Sequence, residues 1–202
     1  MEASEKRREG SAMDQEGGTE SGTIDSVLAH NRAFVAGGEF ARYATDKYPD
    51  KKLAVVSCMD TRLTELLAAA LGLKNGDAKI IKVAGAEVAH PFGSVMRSLL
   101  IAVCELGVED IMIVAHTNCG AQHMSGKEMV ANMERLGVSA ERIEFARHCG
   151  IDFDKWLAGF GDTEEAVRKS VDMVANHPVM PPHVRVIGFI MDSDTGELSV
   201  IC

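Results

Sequence analysis

Apolar residues run along this chain in two alternating rhythms, short unbroken blocks and longer stretches at helical spacing. The blocks are LAVVSC (53–58), AKIIKVAG (78–85), DIMIVAH (110–116) and VRVIGFIMD (184–192). A continuous apolar block of this length, bounded by polar or glycine-containing segments, predicts a strand buried on both faces, as in parallel sheets. Between the blocks, LTELLAAALGL predicts a helix ending near Gly72 and SVMRSLLIAVCELG (94–107) a helix stopped at Gly107. EEAVRKSVDMVANHP (164–178) predicts a longer helix that ends before Pro178. CGAQHM and GKEMVANMERLG read as further helix, residues 139–160 as short helices, and SDTGELSVI as a turn into a short final strand. Ile24, Val27, Leu28, Phe34 and Val35 recur at roughly helical spacing, with Asp25 or Ser26 as candidate caps.

Apolar strands alternating with helices imply an α/β fold, a mostly parallel central sheet covered by helices on both faces. We expect one domain over residues 23–202, with an N-terminal helical arm and without internal repeats. Residues 1–22 break the pattern. They are polar and Gly/Ser-rich, with six acids and three bases, and predict a disordered tail. They contain no apolar core of a secretory signal and are too acidic for a transit peptide, so a cytoplasmic location is the default expectation. No apolar run approaches the ~20 residues that span a bilayer.

The formal net charge of −9 argues against nucleic acid or an anionic membrane as the main partner. Five cysteines, an odd and widely spaced set, read as free thiols and candidate metal ligands rather than a disulfide framework.

Two motifs carry candidate chemistry. Cys58-Met59-Asp60-Thr61-Arg62 follows the first predicted strand, and His116-Thr117-Asn118-Cys119 closes the third. In open α/β sheets ligands sit beyond the carboxyl ends of the strands, where the strand order reverses. A sheet order of 2-1-3-4, with a short extra edge strand, makes the first and third strands neighbours, so Cys58 and His116 end side by side. Cys119, three residues on, can face the same point. Two thiolates and one imidazole suit tetrahedral zinc with its fourth position open.

Either motif alone has little specificity, because a lone buried cysteine is usually a small hydrophobe. A competing reading makes Cys58 a nucleophile in an anion-cradling loop. Such loops place an arginine six positions after the cysteine, where this chain has Thr64, and the segment lacks their glycines. Cys104 reads as core, while Cys149 and Cys202 have no companions. His30, His148, His177 and His183 read mostly as solvated. His90 and His123 are candidates for the rim of the site and for exporting protons from it.

These residues resemble the β-class carbonic anhydrases. C-x-D-x-R with H-x-x-C is that family's signature, and CMDTRL, KVAGAEV, GSVMRSLLIAV and HTNCGA stand in its order and spacing. The resemblance spans about residues 25–202, is strongest over 53–125, and is closer to the compact prokaryotic-type branch. It implies Zn2+ on Cys58, His116 and Cys119, an Asp60–Arg62 pair, and a homodimer or higher oligomer. It also implies reversible hydration of CO2 to bicarbonate, with Asp60 orienting the hydroxide and Arg62 holding Asp60. Relatives of this fold also hydrolyse carbon disulfide or carbonyl sulfide. A non-catalytic zinc protein, with Asp60 closing the metal shell, is the remaining alternative. One departure stands out: Val83 occupies the position where the family commonly has Asn, which bears on substrate choice and turnover.

Overall fold

The computed structural model describes residues 22–202. The predicted tail therefore lies outside the described residues, except for Gly22. Contacts divide the chain into two units, Met1–Ala44 and Thr45–Cys202.

In the first unit, α1 (Thr23–Ala36) is followed by one 3-10 turn, Glu39–Tyr43. The helix starts ahead of both expected caps. Gly22 is the N-cap, and Asp25 serves from inside the first turn by accepting the Gly22 N–H at 3.3 Å. No residue of α1 is buried, and Ile24, Val27, Leu28 and Val35 are all exposed.

The second unit is built on a five-stranded sheet of order β2-β1-β3-β4-β5. β1 (Leu53–Cys58), β2 (Ala78–Val83), β3 (Asp110–His116) and β4 (Arg185–Met191) are parallel, and the short β5 (Leu198–Val200) runs antiparallel to β4 at the edge. This is the expected 2-1-3-4 arrangement with its edge strand. The helices are α2 (Leu63–Ala70), α3 (Ser94–Cys104), α4 (Gly126–Arg135), α5 (Ala140–His148), α6 (Phe153–Trp156) and α7 (Thr163–Ala175).

The unbroken apolar blocks have a direct cause, because successive side chains of a strand point to opposite faces. Val55 joins one buried cluster, with Leu63 and Leu67 of α2 and Val167 of α7. Ala54 and Val56 join another, with Met96, Leu99 and Ala102 of α3. Val83 packs against this second cluster, and its carbonyl accepts the Met59 N–H at 2.9 Å. At this position the chain contributes packing and main-chain support.

Three expectations need correction. Residues 119–124 form turns rather than helix, and α4 begins only at Gly126, capped by the Ser125 hydroxyl. The segment is tied across to the 159–160 backbone instead of to itself. His123 N–H donates to the Phe160 carbonyl and Gly159 N–H to the Met124 carbonyl, both at 2.8 Å. A Cβ on Gly159 would collide with the Ala121 carbonyl, so glycine is what permits this approach. Cys104 is exposed rather than core. His177 is buried rather than solvated, with Nε2 donating to the Pro91 carbonyl at 2.8 Å and Phe92 edge-on to its ring.

Candidate metal centre

Neighbouring parallel strands deliver the first two side chains. β1 and β3 pair in register through Ser57 and Val114, so Cys58 and His116 emerge at adjacent carboxyl ends. Beyond β3 the chain is pinned by Thr117 N–H to the Met191 carbonyl at 3.0 Å. Asn118 then takes a left-handed conformation (φ +53°) that turns Cys119 back into the interior. The ligand atoms of Cys58, His116 and Cys119 all lie within 4.8 Å of one another, with the two sulfurs 3.8 Å apart. Among the described residues no other group of three or more such side chains comes together in this way.

The donor set fits a metal ion. His116 is fully buried, and its Nδ1–H donates to the Thr117 carbonyl at 2.8 Å. That bond leaves the Nε2 lone pair free, the tautomer a ligand histidine needs. Nε2 is buried without a hydrogen-bond partner, a costly state that coordination would relieve. Burial pushes the Cys58 thiol pKa up, but the adjoining His116 ring, the Asp60 and Gly85 backbone and Cys119 outweigh it, and the value falls to about 7. Burial, reinforced by the charge of Cys58, raises Cys119 instead. One thiol is thus poised to ionise, and a divalent cation would ionise both.

Asp60 stands beside this cluster without entering it. Its Oδ2 is 3.8 Å from His116 Nε2. Arg62 engages both oxygens: Nε and the backbone N–H donate to Oδ1 at 3.0 and 2.9 Å, and Nη2 to Oδ2 at 2.9 Å. This bidentate pairing holds the Asp60 carboxyl well below the usual carboxylate range. The carboxylate does not cap α2, whose N-cap residue Arg62 has no side-chain cap bond. Arg62 also donates to the Asn118 carbonyl at 2.9 Å and to Ser193 Oγ at 3.2 Å.

The motifs did not point to Ser193, Thr117 or Lys82. Ser193 bonds Thr117 through both its backbone and its hydroxyl. Lys82 Nζ donates to the Leu63 carbonyl at 3.1 Å, and burial pushes its pKa down against the pull of Cys58 and Asp60. His90 and His123 are both exposed, and His90 Nδ1 accepts the Phe92 N–H at 3.0 Å.

Known proteins resemble this chain along most of its length. The carbonic anhydrase family model matches residues 53–198. The carbonic anhydrase homologue YtiB of Bacillus subtilis is 46% identical over 178 residues, 88% of this chain and 95% of the relative. A carbon disulfide hydrolase of Acidithiobacillus thiooxidans is 29% identical over 158 residues, 74% of this chain and 76% of the relative. The crystal structure of β-carbonic anhydrase isoform I from Trichomonas vaginalis superposes with a TM-score of 0.80 at 32% identity, over 89% of this chain and 97% of that one. Matched along most of its length in both sequence and fold, the chain belongs to the β-class carbonic anhydrase family.

Proposed function

We propose that this chain is a zinc-dependent carbonic anhydrase that reversibly hydrates CO2 to bicarbonate. Cys58, His116 and Cys119 would hold the metal, with Asp60 and Arg62 beside them. The observation that carries the reading is the unpartnered Nε2 of buried His116, facing two buried thiols beside a carboxylate already engaged by Arg62. Bound zinc lowers the pKa of a water molecule and so supplies the nucleophile near neutral pH. The chain's own residues do the rest. Asp60 accepts a hydrogen bond that orients the nucleophile, and Arg62 keeps both carboxylate oxygens off the metal. His90 and His123, both exposed, are the nearest candidates by sequence for passing protons to buffer.

Stopped-flow CO2 hydration by zinc-loaded protein tests the reading. Activity is expected to climb between about pH 7 and pH 9, as a nucleophile formed by deprotonation requires. A flat or falling profile in folded, metal-bound protein contradicts it. Arg62→Ala should keep its zinc and lose hydration by roughly a hundredfold, the loss typical of a missing electrostatic group at an active site. If Arg62→Ala hydrates CO2 at the parent rate, the pair is merely structural.

The relative named as a carbon disulfide hydrolase favours a second reading, in which the substrate is carbon disulfide or carbonyl sulfide. Assaying sulfide release beside CO2 hydration separates the two. Zinc binding with neither activity would leave a non-catalytic zinc protein. We further propose a cytoplasmic homodimer or larger oligomer. No helix among the described residues is long and apolar enough to cross a membrane, and exposed apolar surface (Ile24, Val27, Phe92, Val179) supports self-association.

A further inference from the structure

Arg62 has a partner that neither Asp60 nor the metal cluster explains. Its Nη1 donates to the hydroxyl of Ser193, a residue 131 positions away and only 4% exposed. Ser193 follows β4 in a turn with little freedom. The Asp192 carboxylate accepts the Asp194 and Thr195 N–H groups at 3.0 and 2.8 Å and the Thr195 hydroxyl at 2.9 Å. Ser193 is also fastened from the other side. Its N–H donates to Thr117 Oγ1 at 3.0 Å, and the two hydroxyl oxygens are 3.2 Å apart. Thr117 itself cannot drift, since its N–H is bonded to the Met191 carbonyl and its carbonyl takes the His116 Nδ1–H. Hydrogen bonds through Ser193 and the Thr117 hydroxyl, continued by the covalent frame of Thr117, therefore link the guanidinium to the ligand histidine.

We propose that Ser193, seated by Thr117, is a positioning residue that latches Arg62 and thereby keeps Asp60 off the metal. The proposal rests on the metal-site reading given above. Its physical basis is the fork geometry of arginine, in which the orientation of one edge fixes the other. With Ser193 holding Nη1, the Nε–Nη2 edge is presented squarely to both oxygens of Asp60. Without that hydroxyl, Nη1 loses its side-chain acceptor, and apart from Asp60 only the Asn118 carbonyl still holds the guanidinium. Asp60 Oδ2 already lies 3.8 Å from His116 Nε2, so a small swing of the loosened carboxylate brings it onto an ion held there. Water, substrate or any exogenous anion is then excluded.

Azide binding to the full-length, cobalt(II)-substituted protein, followed by visible absorption, reads the openness of the fourth position without using turnover. The parent should take up one cobalt and bind azide. Ser193→Ala should keep its cobalt and bind azide at least about tenfold more weakly, the scale of one lost hydrogen bond to a charged group. Adding Asp60→Ala to that variant should restore azide binding, because the carboxylate filling the position is gone. Thr117→Val, which leaves Ser193 but removes its seat, should act in the same direction, and it carries the test if Ser193→Ala does not fold. Unchanged azide affinity in Ser193→Ala overturns the latch. So does a double variant that still excludes azide, since the loss would then come from general disorder of the site. A parent that takes up no cobalt, or takes it up and binds no azide, instead overturns the open metal site on which the latch rests.

Discussion

His116 illustrates how much of this site one side chain decides. Its buried Nε2 has no protein partner, so the residue is costly unless it coordinates. On the proposed reading Cys58→Ser, His116→Ala and Cys119→Ser should each lose zinc on dialysis, while Cys104→Ala and Cys149→Ala, at exposed thiols, should retain it. Elemental analysis decides each case, and full retention in any of the first three removes that residue from the ligand set. Arg62→Lys keeps the charge but not the fork that meets two oxygens at once, so hydration should fall while zinc stays. The five proposed site residues were legible because they lie in two short motifs at predicted strand ends. Ser193 was not legible. It meets Arg62 and Thr117 across 131 and 76 positions, and a lone serine in a turn carries no chemical signature.

Strands were read more accurately than the connections between them, for a physical reason. β1 and β3 match their apolar blocks at both ends because burial on two faces leaves little room for polar residues inside the strand, Ser57 being the buried exception in β1. Residues 119–124 were misread as helix because the deciding contact, Gly159 against Ala121, comes from a distant segment. Gly188 in β4 shows the same dependence on close approach, since a Cβ there would meet Val167 and Val171 of α7. Gly188→Ala should lift α7 from the sheet at a cost of about 1–3 kcal/mol, measurable as a lower urea midpoint.

The start of β3 is pinned to the start of β4 by charge. Arg185 donates to both oxygens of Asp110 at 2.7 and 2.9 Å and depresses the Asp110 pKa. A depressed carboxylate pKa stabilises the fold above the ordinary carboxylate range, and the contribution is lost as pH falls through the folded value. Arg185→Ala should therefore lower the urea midpoint slightly at pH 7 and match the parent at about pH 2, where the carboxyl is protonated in both states. The effect stays small because Arg185 is largely solvated and Asp110 partly so.

Across the described residues, exposed apolar surface outside the sheet supports the proposed self-association. α1 is 14 residues long and buries none of them, and helices of that length are marginal in water by themselves. Phe92 and Val179 line an apolar hollow of about 750 Å³ beside α3. We expect sedimentation to give a dimer or larger species, and Phe92→Asp to shift it toward smaller ones. A parent that stays monomeric at all concentrations would sink the proposed oligomer.

The adjacency of β1 and β3 has a further consequence for survival of the protein. Cys58 and His116 meet only when those two strands are paired, so an unfolded chain offers the ion no preformed grip. On the proposed reading zinc would then bind the folded state in preference to the unfolded one, and mass action would make folding free energy rise with the logarithm of free zinc. Chelation should lower the melting temperature well before it abolishes secondary structure. A cell short of zinc would hold less of this protein as well as a less active form of it, because degradation draws on the unfolded fraction that the ion suppresses.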